Sequence, residues 1–139
     1  LATQAVLKAA TAARPAVIMQ NSDNTVSVTG AKANQSTLGQ LAIIEVQNPS
    51  NGGAIFTVPA STTFTGTVTV ISGGVASSTL EASAASGGVL AGVVTGASPS
   101  GSLTDVVDVS VAGGGGGNAI TAVVSGSATG TILLVGYYK

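Results

Sequence analysis

Between Thr63 and Ile71 the side chains alternate strictly, with Phe64, Gly66, Val68 and Val70 on one parity and Thr63, Thr65, Thr67 and Thr69 on the other. Successive strand residues point to opposite faces, so a period of two makes one face apolar and the other a row of hydroxyls. A helix would mix the two sets. The segment predicts a half-buried antiparallel strand, with one face on a core and the other turned outward. Val107, Val109 and Val111 alternate in the same way with Asp108 and Ser110.

The same grammar runs along most of the chain from Pro15 onward. Gln40 to Gln47 and Ala54 to Val58 read as strands, joined through Asn48-Pro49-Ser50-Asn51-Gly52-Gly53, a cluster of turn formers that predicts a hairpin. Weaker runs span Ala16 to Gln20, Thr25 to Thr29, Val89 to Thr95 and Ala119 to Ser125. Thr131 to Val135 is continuously apolar, as in a central strand covered on both sides or covered by a partner chain. About nine short strands at this spacing, with no helical pattern between them, point to an all-β antiparallel sandwich, with a jelly-roll-like order as the candidate arrangement. The Gly-Gly pairs recur at uneven intervals, which leaves a β-solenoid as a minor alternative.

Leu1 to Ala13 is Ala-rich and ends at Arg14-Pro15, where proline disfavours helical continuation. It reads as an N-terminal arm or short helix, giving an arm over residues 1–14 and a β-sandwich over 15–139. Lys8 and Arg14 interrupt its apolar residues well short of the roughly 20 that a membrane span needs. It also lacks the charged start and continuous apolar block of a secretory signal. A first residue Leu1 in place of Met points to proteolytic processing or to residues that precede it.

Composition narrows the chemistry. The chain has no Cys or His, so disulfides, thiolate or imidazole metal sites and imidazole acid–base catalysis are closed to it. Charged residues make up 6% of the chain, where about 25% is usual. Area scaling gives a folded chain of this length roughly 6,400 Å² of surface, or about one charge per 700 Å². Such a surface favours burial against neighbours in an assembly. With only Lys8, Arg14, Lys32 and Lys139 as cations, there is no basic footprint for nucleic acid. An apolar fraction of 45% argues for a folded core.

Each group that carries chemistry has a plainer reading. Asp105 and Asp108 suggest an acid–base or Ca²⁺ pair, but an offset of three sets them on opposite strand faces, and hard cations usually gather more carboxylates. Glu45 sits in an apolar strand, where its charge needs Lys32, a lysine of another subunit, or an edge open to water. Gly113 to Gly117 lacks the Lys-Ser/Thr ending of a phosphate loop and reads as a loop at a sheet end. The many Ser and Thr hydroxyls have no histidine to activate them, and no motif surrounds any lysine. Asn34-Gln35-Ser36 fits a glycosylation sequon. Of Tyr137 and Tyr138, at most one packs inward, and the other is a candidate contact. No catalytic, cofactor-binding or metal-binding residue is assigned.

The N-terminal arm and two segments carry a family resemblance: Phe56-Thr57-Val58-Pro59-Ala60-Ser61-Thr62-Thr63-Phe64-Thr65-Gly66-Thr67-Val68, and Gly126-Ser127-Ala128-Thr129-Gly130-Thr131-Ile132-Leu133-Leu134-Val135-Gly136-Tyr137-Tyr138. In style, over roughly the C-terminal four-fifths of the chain, they resemble small β-sandwich structural proteins of tailed bacteriophages, including capsid decoration or cement proteins and fibre-type domains. The resemblance implies a non-enzymatic, trimeric or similarly symmetric subunit on the capsid exterior that binds copies of itself and the major capsid protein. Two alternatives stay open: an extracellular filament or pilus subunit that polymerises by strand addition, and a fibre-type receptor-binding domain.

Overall fold

The computed structural model of the protein describes the backbone of Gln4–Lys8, Pro15–Gln20 and Val26–Thr29, and residues 39–98 and 101–139 in full. Among the described residues there are strands and turns but no helix. The strands are β1 (Gln4–Lys8), β2 (Pro15–Gln20), β3 (Val26–Thr29), β4 (Gln40–Gln47), β5 (Ala54–Val58), β6 (Thr63–Ser72), β7 (Thr79–Ala84), β8 (Gly88–Val94), β9 (Leu103–Ala112), β10 (Asn118–Ser125) and β11 (Gly130–Tyr138). β1, β2 and β3 form an antiparallel meander in which Gln4 pairs with Met19 and Lys8 with Pro15. Within the expected arm or short helix, Gln4–Lys8 is therefore extended; strand pairing overrides the weak helical propensity of its alanine-rich surroundings. The rest of that stretch, with Arg14, Lys32 and the Asn34-Gln35-Ser36 sequon, lies outside the described residues.

The other eight strands form two antiparallel four-stranded sheets, ordered β4-β11-β6-β9 and β5-β10-β7-β8. The first strand of the eight pairs with the last, the second with the seventh, the third with the sixth and the fourth with the fifth. A long hairpin wound over itself into two sheets gives this order, which is the jelly roll. Nearly all of these pairings are distant in sequence, so the fold is held by ladders that no local segment makes alone.

The core lies between the sheets and is asymmetric. From β4-β11-β6-β9 come Phe64, Val68, Val70, Ile132 and Leu134, all at 0% exposure. The facing sheet contributes Leu80, Ala82, Ala84, Ala91, Ile120 and Ala122, mostly small. Large side chains on one layer fill the room left by small ones on the other, as close packing requires. At one end the ring of Phe56 stacks obliquely on Phe64 and Tyr138, with centroids 5.9 and 5.4 Å apart. Gly66 and Gly136 are cross-strand partners beneath that cluster. A Cβ on Gly136 would come within 2.7 Å of both the Gly66 Cα and the Phe64 ring, so glycine is what lets the aromatic lie across the strands.

The hairpin expected between Gln40–Gln47 and Ala54–Val58 is not formed: β4 and β5 belong to different sheets, and residues 48–53 cross between them. The turn formers instead fasten this crossing. The Asn48 Oδ1 accepts the Gly130 N–H at 3.0 Å, and the Asn51 Oδ1 accepts the Val124 N–H at 3.0 Å. Gly52 N–H and Gly53 C=O bond to the Ala122 backbone at 2.8 and 2.9 Å. Asparagine and glycine here supply backbone-like hydrogen bonds at a corner, a chemistry they share with tight turns.

Candidate functional site

The face of the β4-β11-β6-β9 sheet turned away from the core is the feature of the molecule that most needs a role. Its side chains fall in cross-strand rows. Tyr137 lies between Leu41 and Thr65, Val135 between Ile43 and Thr67, Leu133 between Glu45 and Thr69, and Thr131 between Gln47 and Ile71. β9 completes the same rows with Ser110, Asp108, Val106 and Thr104. An aliphatic column on β4 and β11 thus runs beside a ladder of threonines on β6. Val106 is 60% exposed, Ile71 40%, and Val135 and Tyr137 37% each. Scattered apolar residues on a surface mean little, but here they stand in aligned rows on one face of a sheet.

Two carboxylates sit on this face, on its two edge strands. Asp108 accepts a hydrogen bond from the Thr67 hydroxyl at 3.1 Å, above a shallow depression lined by Thr65, Gly66, Thr67, Asp108, Val109 and Ser110. Glu45 accepts one from the Gln47 amide at 3.0 Å. Asp105 does not join them. It pairs with Val70, whose side chain faces the core, so Asp105 points between the sheets, where its carboxylate accepts the Gly92 N–H at 2.9 Å. The parity argument thus places Asp105 and Asp108 on opposite faces, and no three Asp or Glu side chains cluster among the described residues. Lys32, the intrachain partner suggested for Glu45, lies outside the described residues, while β4 is an edge strand of its sheet.

The glycine run closes the β9–β10 connection. Gly113 N–H donates to the Thr62 carbonyl and Ser61 N–H to the Gly114 carbonyl, each at 2.8 Å, so part of the loop's backbone is committed to a neighbouring turn. The tyrosines divide as their parity requires: Tyr137 faces outward, while Tyr138 packs on Phe56 and its hydroxyl donates to Gln40. No helix among the described residues is long and apolar enough to cross a membrane.

Sequence reasoning missed the buried polar residues Ser72, Ser78, Thr95 and Asn118, and the last two matter most to the packing. Asn118, 5% exposed, donates to the Ser86 and Ala112 carbonyls at 2.9 and 3.0 Å and accepts the Ser86 N–H at 2.9 Å. It ties a hairpin of one sheet to the end of a strand in the other. Thr95, 3% exposed, has a hydroxyl with no hydrogen-bond partner among the described residues. A place directly after the glycine run was the only signal for Asn118, and nothing in the sequence marks Thr95.

These features define a jelly-roll β-sandwich with an outward face of hydroxyl and aliphatic side chains on one sheet. No protein-family model, curated protein or solved structure matches the chain.

Proposed function

We propose that the protein is a non-enzymatic structural subunit, a capsid decoration or cement protein of a tailed bacteriophage that stabilises the shell from outside through contacts with copies of itself and with the major capsid protein. The observation that carries this reading is the outward face of the β4-β11-β6-β9 sheet, where aligned aliphatic and threonine side chains leave Glu45 and Asp108 as the ionic groups, one on each edge strand, fewer than usually keep a solitary domain dispersed. Contacts made only in the assembled state stabilise that state by mass action. The chain's low charge as a whole supports the same reading, because burying hydroxyl and aliphatic surface avoids the cost of desolvating ions. The jelly-roll order supports it at the level of architecture only, since one fold hosts many functions. Asp105 weighs against polymerisation by strand addition at β8, because its carboxylate occupies a backbone donor on that edge strand.

Electron microscopy of the native particle tests the proposal. Density for the jelly roll in symmetric positions on an icosahedral shell is the expected result. The same density repeated along a filament, or its absence from any particle, would overturn it.

A further inference from the structure

We infer that the outward β4-β11-β6-β9 face is the surface through which two copies of this chain pair, sheet on sheet, about a two-fold axis parallel to the strands. The inference rests on the structural-subunit reading and adds to it a surface, a partner and a symmetry. Four strands at about 4.8 Å spacing and a nine-residue β11 rising about 3.3 Å per residue span roughly 19 by 30 Å. That is about 600 Å² in projection, or about 1,200 Å² over the two faces, the lower bound of specific stable interfaces.

The axis follows from the rows. Rotation about a line in the face and parallel to the strands exchanges β11 with β6 and β4 with β9, row by row. Tyr137 of one copy then covers Thr65 of the other, Val135 covers Thr67 and Leu133 covers Thr69, so each aliphatic column meets the methyl groups of a threonine ladder. The contact is isologous, with residue i meeting j and j meeting i. Glu45 and Asp108 lie on the two outer strands of the face, with β3 against β4, and neither meets its own copy. An axis across the strands through Val135 would instead stack Asp108 on Asp108. The pair is two-fold, in place of the trimer that the phage resemblance implies.

Because the chain has no cysteine, introduced thiols report the geometry without background. Within one chain Glu45 and Val106 occupy opposite edge strands of one row, three strand spacings or about 14 Å apart, beyond disulfide reach. Across the proposed axis they face each other at the roughly 10 Å spacing of packed sheets, too far for a disulfide but within reach of a short bismaleimide linker. With that linker the double variant Glu45→Cys with Val106→Cys is expected to yield a covalent dimer on a denaturing gel, and each single variant none. In sedimentation velocity, Val135→Lys should convert a self-associating wild type to monomer, while Val94→Lys, on the other sheet, should not. Dimers that survive Val135→Lys but dissociate with Val94→Lys would overturn this face and leave the assembly reading intact. A wild type that stays monomeric at high concentration would overturn the pairing, and the microscopy above decides the wider proposal separately. Crosslinking by either single variant would overturn the axis.

Discussion

The Asp105 carboxylate accepts the Gly92 backbone N–H at 2.9 Å, and through that bond β9 of one sheet reaches β8 of the other. Both are edge strands, so the bond lies along an open side of the sandwich. An inward-pointing charge at a sheet edge satisfies a free donor and denies it to an incoming strand. Asp105→Ala should lower the unfolding free energy by about 2 kcal/mol, the scale of a charge-assisted hydrogen bond, and Asp105→Asn, which keeps an acceptor, by less. Urea titration measures both. The alanine variant should also aggregate faster at high concentration, followed by light scattering; unchanged stability and solubility would remove Asp105 from this role.

Gly136 is a steric requirement. Alanine there would set its Cβ against the Gly66 Cα and the Phe64 ring, and overpacking of this kind costs about 1–3 kcal/mol. Thermal unfolding of Gly136→Ala should begin several degrees below wild type. A variant as stable as wild type would mean that the aromatic cluster relaxes freely.

Asn118 bonds three backbone groups from inside the protein. Asn118→Ala leaves Ser86 and Ala112 groups without their partner and should cost about 2–4 kcal/mol, since each buried polar group left unpaired carries its own desolvation penalty. Hydrogen exchange should accelerate at Ser86 and in the adjoining turn before it does in the central strands.

Thr95 predicts the opposite sign. Its hydroxyl is buried and unpartnered among the described residues, while its backbone N–H donates to the Ser78 carbonyl at 2.7 Å. Thr95→Val keeps the shape and the backbone bond and removes the orphan group, so it should stabilise the fold by about 1 kcal/mol, read as a higher urea midpoint.

How much of this was legible in the sequence follows from where water meets the chain. β6 and β9 announce themselves by period two because each has one face on the core and one outside. β7 carries no such signal: Thr79–Ala84 is built mostly of small residues, and its buried Leu80, Ala82 and Ala84 show little hydrophobic contrast with their neighbours. The hairpin expected after β4 failed because the partners of Asn48 and Asn51 are Gly130 and Val124, whose approach only the folded chain arranges. Strand order was out of reach for the same reason, since pairs such as Gln40 with Tyr138 join residues from opposite ends of the sandwich's sequence. As for the candidate surface, the threonine ladder could be read directly. Its aliphatic half could not, because Thr131 to Val135 is apolar at almost every position and conceals which residues face the core.

If the protein works as a structural subunit, its hydroxyl and aliphatic face is covered in the native particle. Hydroxyl-radical footprinting of the native particle against the isolated chain tests it side chain by side chain. Leu133, Val135 and Tyr137 should lose most of their reactivity in the particle, with Val89 on the other sheet as the reference. Equal labelling of those three residues in both states would contradict the account.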